Sequence, residues 1–287
     1  MTTIVIILCG AKLKEEAQDS RALRLMQHLE SQGKYIFSRE DAATVAVEED
    51  IPASQLNVLL FKLVKNGRVL RLRKGWYAGF GLFPGQIQVH PFAVGTAITA
   101  PSFISHWSAL QHHGLTEQIP QIVTVSSTKK VVFPRAENRD RQNRRSLKIL
   151  DVQYEFFHIY PSRFFGIEEV WLDERSKISI SDKERTLIDL FAYSGSFGGM
   201  GEVLGIMEQT LSSIDLKKLI GYAIQYGEKS LCKRLGWVLE HLGGISVREK
   251  EALIKNIQGK GYALLDPRLP RKGKCNGDWM IVENLIS

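Results

Sequence analysis

FKLVKNGRVLRLRKGWYAGF, residues 61–80, sets six basic side chains (Lys62, Lys65, Arg68, Arg71, Arg73 and Lys74) within thirteen positions, followed at once by the aromatic pair Trp76-Tyr77. No Asp or Glu occurs between Asp50 and Glu117. A solvated face ordinarily mixes signs, so a single-sign run of this length points to an acidic partner. Locally, Val69, Leu70 and Leu72 supply a mostly apolar strand, Lys74-Gly75 can turn, and Trp76-Tyr77 begins a return strand. A basic hairpin can also be a plain solvated edge guarded against aggregation. What precedes it decides between the two.

Working toward the N-terminus, the spacing of Leu56, Leu59, Leu60, Leu63 and Val64 predicts a helix from about Ala53 to Asn66, with Pro52 in its first turn and Asn66-Gly67 as its stop. At about 100° per residue those five side chains fall within an arc of about 140°, the width of a core-facing stripe. Ser54, Val58, Phe61, Lys62 and Lys65 lie opposite, with Gln55 and Asn57 on the flanks. Small polar groups near the helix start and lysines near its end suit a major groove, where the former reach base edges and the latter meet phosphates. Upstream again, Leu23, Leu25, Met26 and Leu29 fit a first helix over Ser20–Glu30, and Ser38 with Asp41 is a weak capping box opening a second over Arg39–Val47. Three helices followed by a basic ribbon predict a winged helix-turn-helix. Its DNA contacts are expected from Ser54, Gln55, Asn57, Val58, Phe61, Lys62, Lys65, Arg68, Arg71, Arg73 and Lys74.

The chain has 287 residues, 44% of them hydrophobic and 24% charged, with a net charge of +7. That length suits two domains. GLFPGQIQVHPFAVG, with Pro84, Gly85 and Pro91, marks the boundary. The division is an N-terminal extension at 1–19, a winged helix at 20–82, a linker at 83–92 and a larger C-terminal domain at 93–287. In that domain helices are predicted at Ser105–His112, Asp182–Tyr193, Gly201–Leu211, Asp215–Tyr226 and Ser230–Leu242, and strands at Ile122–Ser126, Val152–Ile159 and Lys177–Ile180. The fold class is therefore α+β. The polar, base-rich stretch Arg135–Lys148 reads equally as a solvated loop or a second nucleic-acid contact. Ile4–Leu8 reads as a strand or as an upstream-start artefact, since the run is short for a signal segment and no bases precede it. Cys9, Cys232 and Cys275 are too scattered for a disulfide framework or a metal site, which suits a reducing cytosol. No stretch approaches the roughly twenty apolar residues of a membrane span, so a cytoplasmic location is expected.

The chemical candidates read as structural. His106, His112 and His113 lack further ligands for a metal. Asp182 fits a helix N-cap, while Glu184 and Asp189, five residues apart, diverge on a helix. SGSFGGMGE, residues 194–202, precedes a helix and could cradle a phosphate, but it has neither the P-loop Lys-Ser/Thr nor the order of a dinucleotide loop. The expectation is a binder with no catalytic residue, no metal and no cofactor.

Taken in order, LRKGWYAGF, FISHWSALQHHGL, ISISDKERTLIDLF, GSFGG, RLGWVLEHLG and LDPRLPRKGKCNGDWMIVEN resemble the AbiEi-type antitoxin and transcriptional regulator family of bacterial type IV toxin–antitoxin systems. The resemblance spans roughly residues 20–287. It implies an N-terminal domain that binds double-stranded operator DNA and represses its own operon. It also implies a C-terminal domain that counters a nucleotidyltransferase-like toxin without requiring a stable complex. The apolar extension before Ser20 departs from the family's usual start. An alternative from the residues is a stand-alone regulator whose C-terminal domain senses a ligand or mediates assembly.

Overall fold

The computed structural model describes residues 20–79, 89–131, 146–149, 151–173, 176–259 and 261–285. The expectations for Ile4–Leu8 and Cys9, for linker residues 83–88 and for most of the Arg135–Lys148 loop lie outside these residues. The fold is mixed α+β with several sheets. It divides into two compact units. The first holds the described residues within Met1–Ile98, Ile149–Asp151 and Trp171–Lys177. The second holds those within Thr99–Lys148, Val152–Val170 and Ile178–Ser287.

In the first unit, helix α1 covers residues 20–31 and buries Leu25 and Leu29. Strand β1 (Ile36–Ser38) runs directly into α2 (Arg39–Glu48). The junction is a reciprocal capping box: Ser38 Oγ accepts the Asp41 N–H at 3.0 Å and Asp41 Oδ2 accepts the Ser38 N–H at 2.9 Å. Burial alone would raise the Asp41 carboxyl; the ammonium of Lys34, at 2.8 Å, and the Ser38 donors outweigh it and hold it below its ordinary value. Helix α3 (Ala53–Lys65) starts at the expected residue, with Pro52 as its N-cap and not within its first turn. It ends at Asn66, and Gly67 takes φ 67°, a turn open to glycine without steric cost. Leu56, Leu59, Leu60 and Leu63 are buried as the stripe requires; each contributes about 1.5–3 kcal/mol by burial.

Strands β2 (Val69–Arg73) and β3 (Trp76–Gly79) form the expected hairpin, turning at Gly75 with φ 78°. β3 lies between β1 and β2 and is antiparallel to both. β1 was not foreseen: it has only three residues, and it is fixed by tertiary contact, with Phe37 stacked on Tyr77 at 5.7 Å. Helix α4 (Pro91–Ile98) completes the unit, so Pro91, assigned to the linker from sequence, opens a helix. The apolar core joins α1, β1, α2, α3 and β2.

The second unit is built on a six-stranded sheet. Its strands are β4 (Ser102–Ile104), β5 (Ile122–Ser127), β6 (Ser146–Ile149), β7 (Val152–His158), β8 (Ile167–Trp171) and β9 (Lys177–Ser181). Their spatial order is β6-β7-β5-β4-β9-β8, with β5 parallel to β7 and antiparallel to β4. Helix α5 (His106–His112) follows β4. Helices α6 (Lys183–Ala192), α7 (Met200–Thr210), α8 (Leu216–Tyr226), α9 (Lys229–His241) and α10 (Val247–Ile257) share the larger core. Asp182 and Asp215 cap α6 and α8, accepting backbone N–H groups at 2.8 and 3.0 Å. A small sheet closes the unit: β10 (Ala263–Leu264), β11 (Lys274–Asn276) and β12 (Ile281–Glu283), with β12 central.

Candidate nucleic-acid interface

The face of α3 opposite its leucine stripe is open to solvent. Ser54, Asn57, Val58, Phe61 and Lys65 are exposed, whereas Gln55 and Lys62 are half-buried. Phe61 is 68% exposed and Val58 45%, an apolar pair that no folding requirement explains, flanked by polar and basic groups. Each position follows from the helical period: with Leu56, Leu59, Leu60 and Leu63 inward, these residues can only point away from the core.

Two arginines from neighbouring helices hold amides of α3. Arg21 Nη1 donates to Gln55 Oε1 at 2.7 Å, and Arg39 Nε donates to Asn57 Oδ1 at 3.1 Å. Neither arginine stood out in the sequence, because each reaches α3 only through the tertiary fold. A weak signal existed for Arg39. It is the first residue of α2, where the helix dipole disfavours a cation, and a locally disfavoured residue is a candidate for a role outside stability. Its backbone N–H also donates to Gly75 O at 2.8 Å, which ties the start of α2 to the β2–β3 turn.

On the ribbon, Arg68, Arg71 and Lys74 are exposed and Arg73 is half-buried. Burial pushes the Arg73 guanidinium down from its ordinary value. The pairing shifts register between Arg71 and Arg73, a bulge that increases local twist and re-aims side chains. The α3 face and the ribbon thus come together in one unit, and all eleven expected contact residues lie on these two features or at the turn between them. The arrangement offers donors and positive charge, with no carboxylate in that stretch of chain to compete with a phosphate.

The remaining candidates sit in packed surroundings. His106 is 1% exposed and stacks on Phe157 at 3.8 Å between ring centres. Its Nδ1 lies 2.8 Å from Ser105 Oγ and 3.9 Å from Asp189 Oδ2. Ser, His and Asp meet here, yet both oxygens approach the same ring nitrogen and all three side chains are buried, unlike a relay that presents its serine to a substrate. Burial pushes the His106 imidazole down to about 4, a loss that the Asp189 charge only partly offsets. Arg185, fully buried, bonds Asp189 and lies among Phe103, Phe165 and Tyr226 at 5.3–5.8 Å from their ring centres. Glu184 accepts the Asp215 N–H at 3.0 Å and pairs with Lys218 at 2.8 Å. Burial alone would raise its carboxyl, and these two donors hold it below the ordinary value instead.

At the glycine turn, the first N–H of α7 is taken by a carboxylate from the chain itself. The Met200 N–H donates to Asp266 Oδ2 at 3.0 Å, and Arg268 bridges Asp266 to Gly198 O. An internal anion already sits where a phosphate would bind. Among the described residues no group of three or more His, Cys, Asp or Glu is placed to hold a metal. Cys232 is buried and Cys275 exposed, both as free thiols. No helix among the described residues is long and apolar enough to cross a membrane.

No protein-family model matches the chain, and no curated protein does. Among solved structures the fold is similar to that of the RV2827C protein from Mycobacterium tuberculosis, at 13% identity and a TM-score of 0.57, over 92% of this chain and 91% of that one. At this identity the similarity is one of fold.

Proposed function

We propose that the protein is a DNA-binding transcriptional autorepressor and the antitoxin of a type IV toxin–antitoxin system. Its first unit acts as a winged helix-turn-helix: α3 enters the major groove of operator DNA and the β2–β3 ribbon rests on neighbouring phosphates. The observation that carries this reading is the joining of an outward α3 face, bearing Asn57, Val58, Phe61 and Lys65, to the basic ribbon within a stretch free of acids. The element order α1-β1-α2-α3-β2-β3, with β3 between its partners, supports it. The antitoxin half rests on the order of motifs along the chain. The second unit, with a core of its own, is the part left to counter a nucleotidyltransferase-like toxin in the cytoplasm, by an action that needs no stable complex.

The two activities are separable by charge. Arg71→Ala, Arg73→Ala and Lys74→Ala together are expected to abolish repression of a reporter driven by the upstream promoter. Colony survival on induction of the neighbouring toxin is expected to persist when the triple variant is expressed from a foreign promoter. Loss of both activities by a folded variant would contradict the division, and a neighbouring reading frame without nucleotidyltransferase character would contradict the antitoxin assignment.

A further inference from the structure

We propose that Arg39, at the start of α2 and not on α3, is the side chain that reads a guanine, and that Asn57 is its positioning residue. The inference rests on the DNA-binding reading and adds to it a base and a reader. Arginine carries only donors, so the atom of the Asn57 amide that faces Arg39 has to be its oxygen, as the 3.1 Å bond from Nε has it. Reading adenine with an asparagine takes both amide atoms, the oxygen accepting from N6 and the nitrogen donating to N7. With its oxygen engaged by Arg39, Asn57 is poorly disposed for that contact.

The guanidinium, by contrast, gains from the bond. Nε is the nitrogen in use, which leaves the Nη1 and Nη2 edge, whose coplanar donors match guanine O6 and N7. The bond also fixes the plane, so less freedom is lost when a base is bound. Arg39 and Asn57 are both exposed, and among the described residues Arg39 has no carboxylate partner. The nearby carboxylate of Asp41 is engaged by Ser38 and Lys34. The bond from the Arg39 N–H to Gly75 O anchors this reader's backbone to the ribbon.

The test is a binding selection with the full chain on a pool of duplexes carrying a randomised 20-base-pair core, about the span of two adjacent half-sites, sequenced for the wild type, Arg39→Lys, Asn57→Ala and Lys65→Ala. The wild type is expected to enrich a motif with a guanine at one defined step. Arg39→Lys keeps the charge but not the two-pronged edge. It is expected to retain pool affinity within about threefold while losing preference for that guanine by about tenfold or more. Asn57→Ala is expected to weaken preference at the same step, and Lys65→Ala to lower affinity with the motif unchanged. Full guanine preference in Arg39→Lys overturns the proposal, as does loss at different steps for Arg39→Lys and Asn57→Ala. Wild-type binding without any motif also overturns it while leaving DNA binding standing. No wild-type binding at all removes the DNA reading itself.

Discussion

Lys65 and Arg71 are exposed, flexible point or planar charges, while Asn57 is a short amide held by a neighbour. This difference in chemistry divides side chains that meet phosphates from one that holds the base-reading Arg39 in place. Lys65→Ala or Arg71→Ala is expected to weaken operator and random DNA alike. Asn57→Ala, by releasing Arg39, is expected to lower the discrimination between them by up to the roughly 1–3 kcal/mol of the Arg39 base contact; competition binding against both DNAs measures the difference, and equal losses for all three variants would mean that α3 presents another face. Gln55 is a different case, since it is half-buried and tied to Arg21. At the opposite extreme of burial, His106 must stay neutral in the fold. Its folded value of about 4 lies below the ordinary imidazole value, so it costs no stability at neutral pH. As pH falls below about 6.5 the unfolded chain takes up a proton that the folded one refuses, until the folded value is reached. Urea unfolding is expected to show a loss on the order of 2 kcal/mol from this group between about pH 7.5 and 5. His106→Gln is expected to remove that dependence, and an unchanged pH profile in the variant would exclude His106 as its source.

At the scale of elements, stability and presentation meet in α3. Leu59 is fully buried in the small core, so Leu59→Ala is expected to cost about 2–5 kcal/mol in chemical unfolding, whereas Phe61→Ala on the outer face is expected to change stability by less than about 0.5 kcal/mol. An equal cost at both positions would contradict the phasing of the helix. That phasing was readable from sequence because five apolar side chains keep one period, and the caps at Ser38 and Asp182 were readable because capping is local chemistry. Helix α10 went unpredicted although Ser246 and Glu249 form a capping box and Leu253 and Ile257 are buried one turn apart; the charged residues around them masked the stripe. Strands β1 and β4, with three residues each, carry too short a pattern to be seen before their partners are known. The candidate contact residues were legible as a charge run and a helix face. The Arg39–Asn57 pair was not, because eighteen residues separate its members and only the packing of α2 on α3 brings them together.

At the scale of the molecule, a net charge of +7 alone would favour any polyanion. Here the charge is gathered on one helix face and one ribbon, in a unit with its own core. The most direct test is a fluorescence-anisotropy salt titration of the full chain on upstream duplex DNA, alongside the variant with Arg71, Arg73 and Lys74 all changed to Ala. If about four to six of the clustered bases meet phosphates, log K is expected to fall against log salt with a slope of about −4 to −5, and the variant's slope to be shallower by about 0.9 for each contact removed. A flat response in the wild type, or an equally steep one in the variant, would contradict the assignment of the ribbon and α3 to DNA.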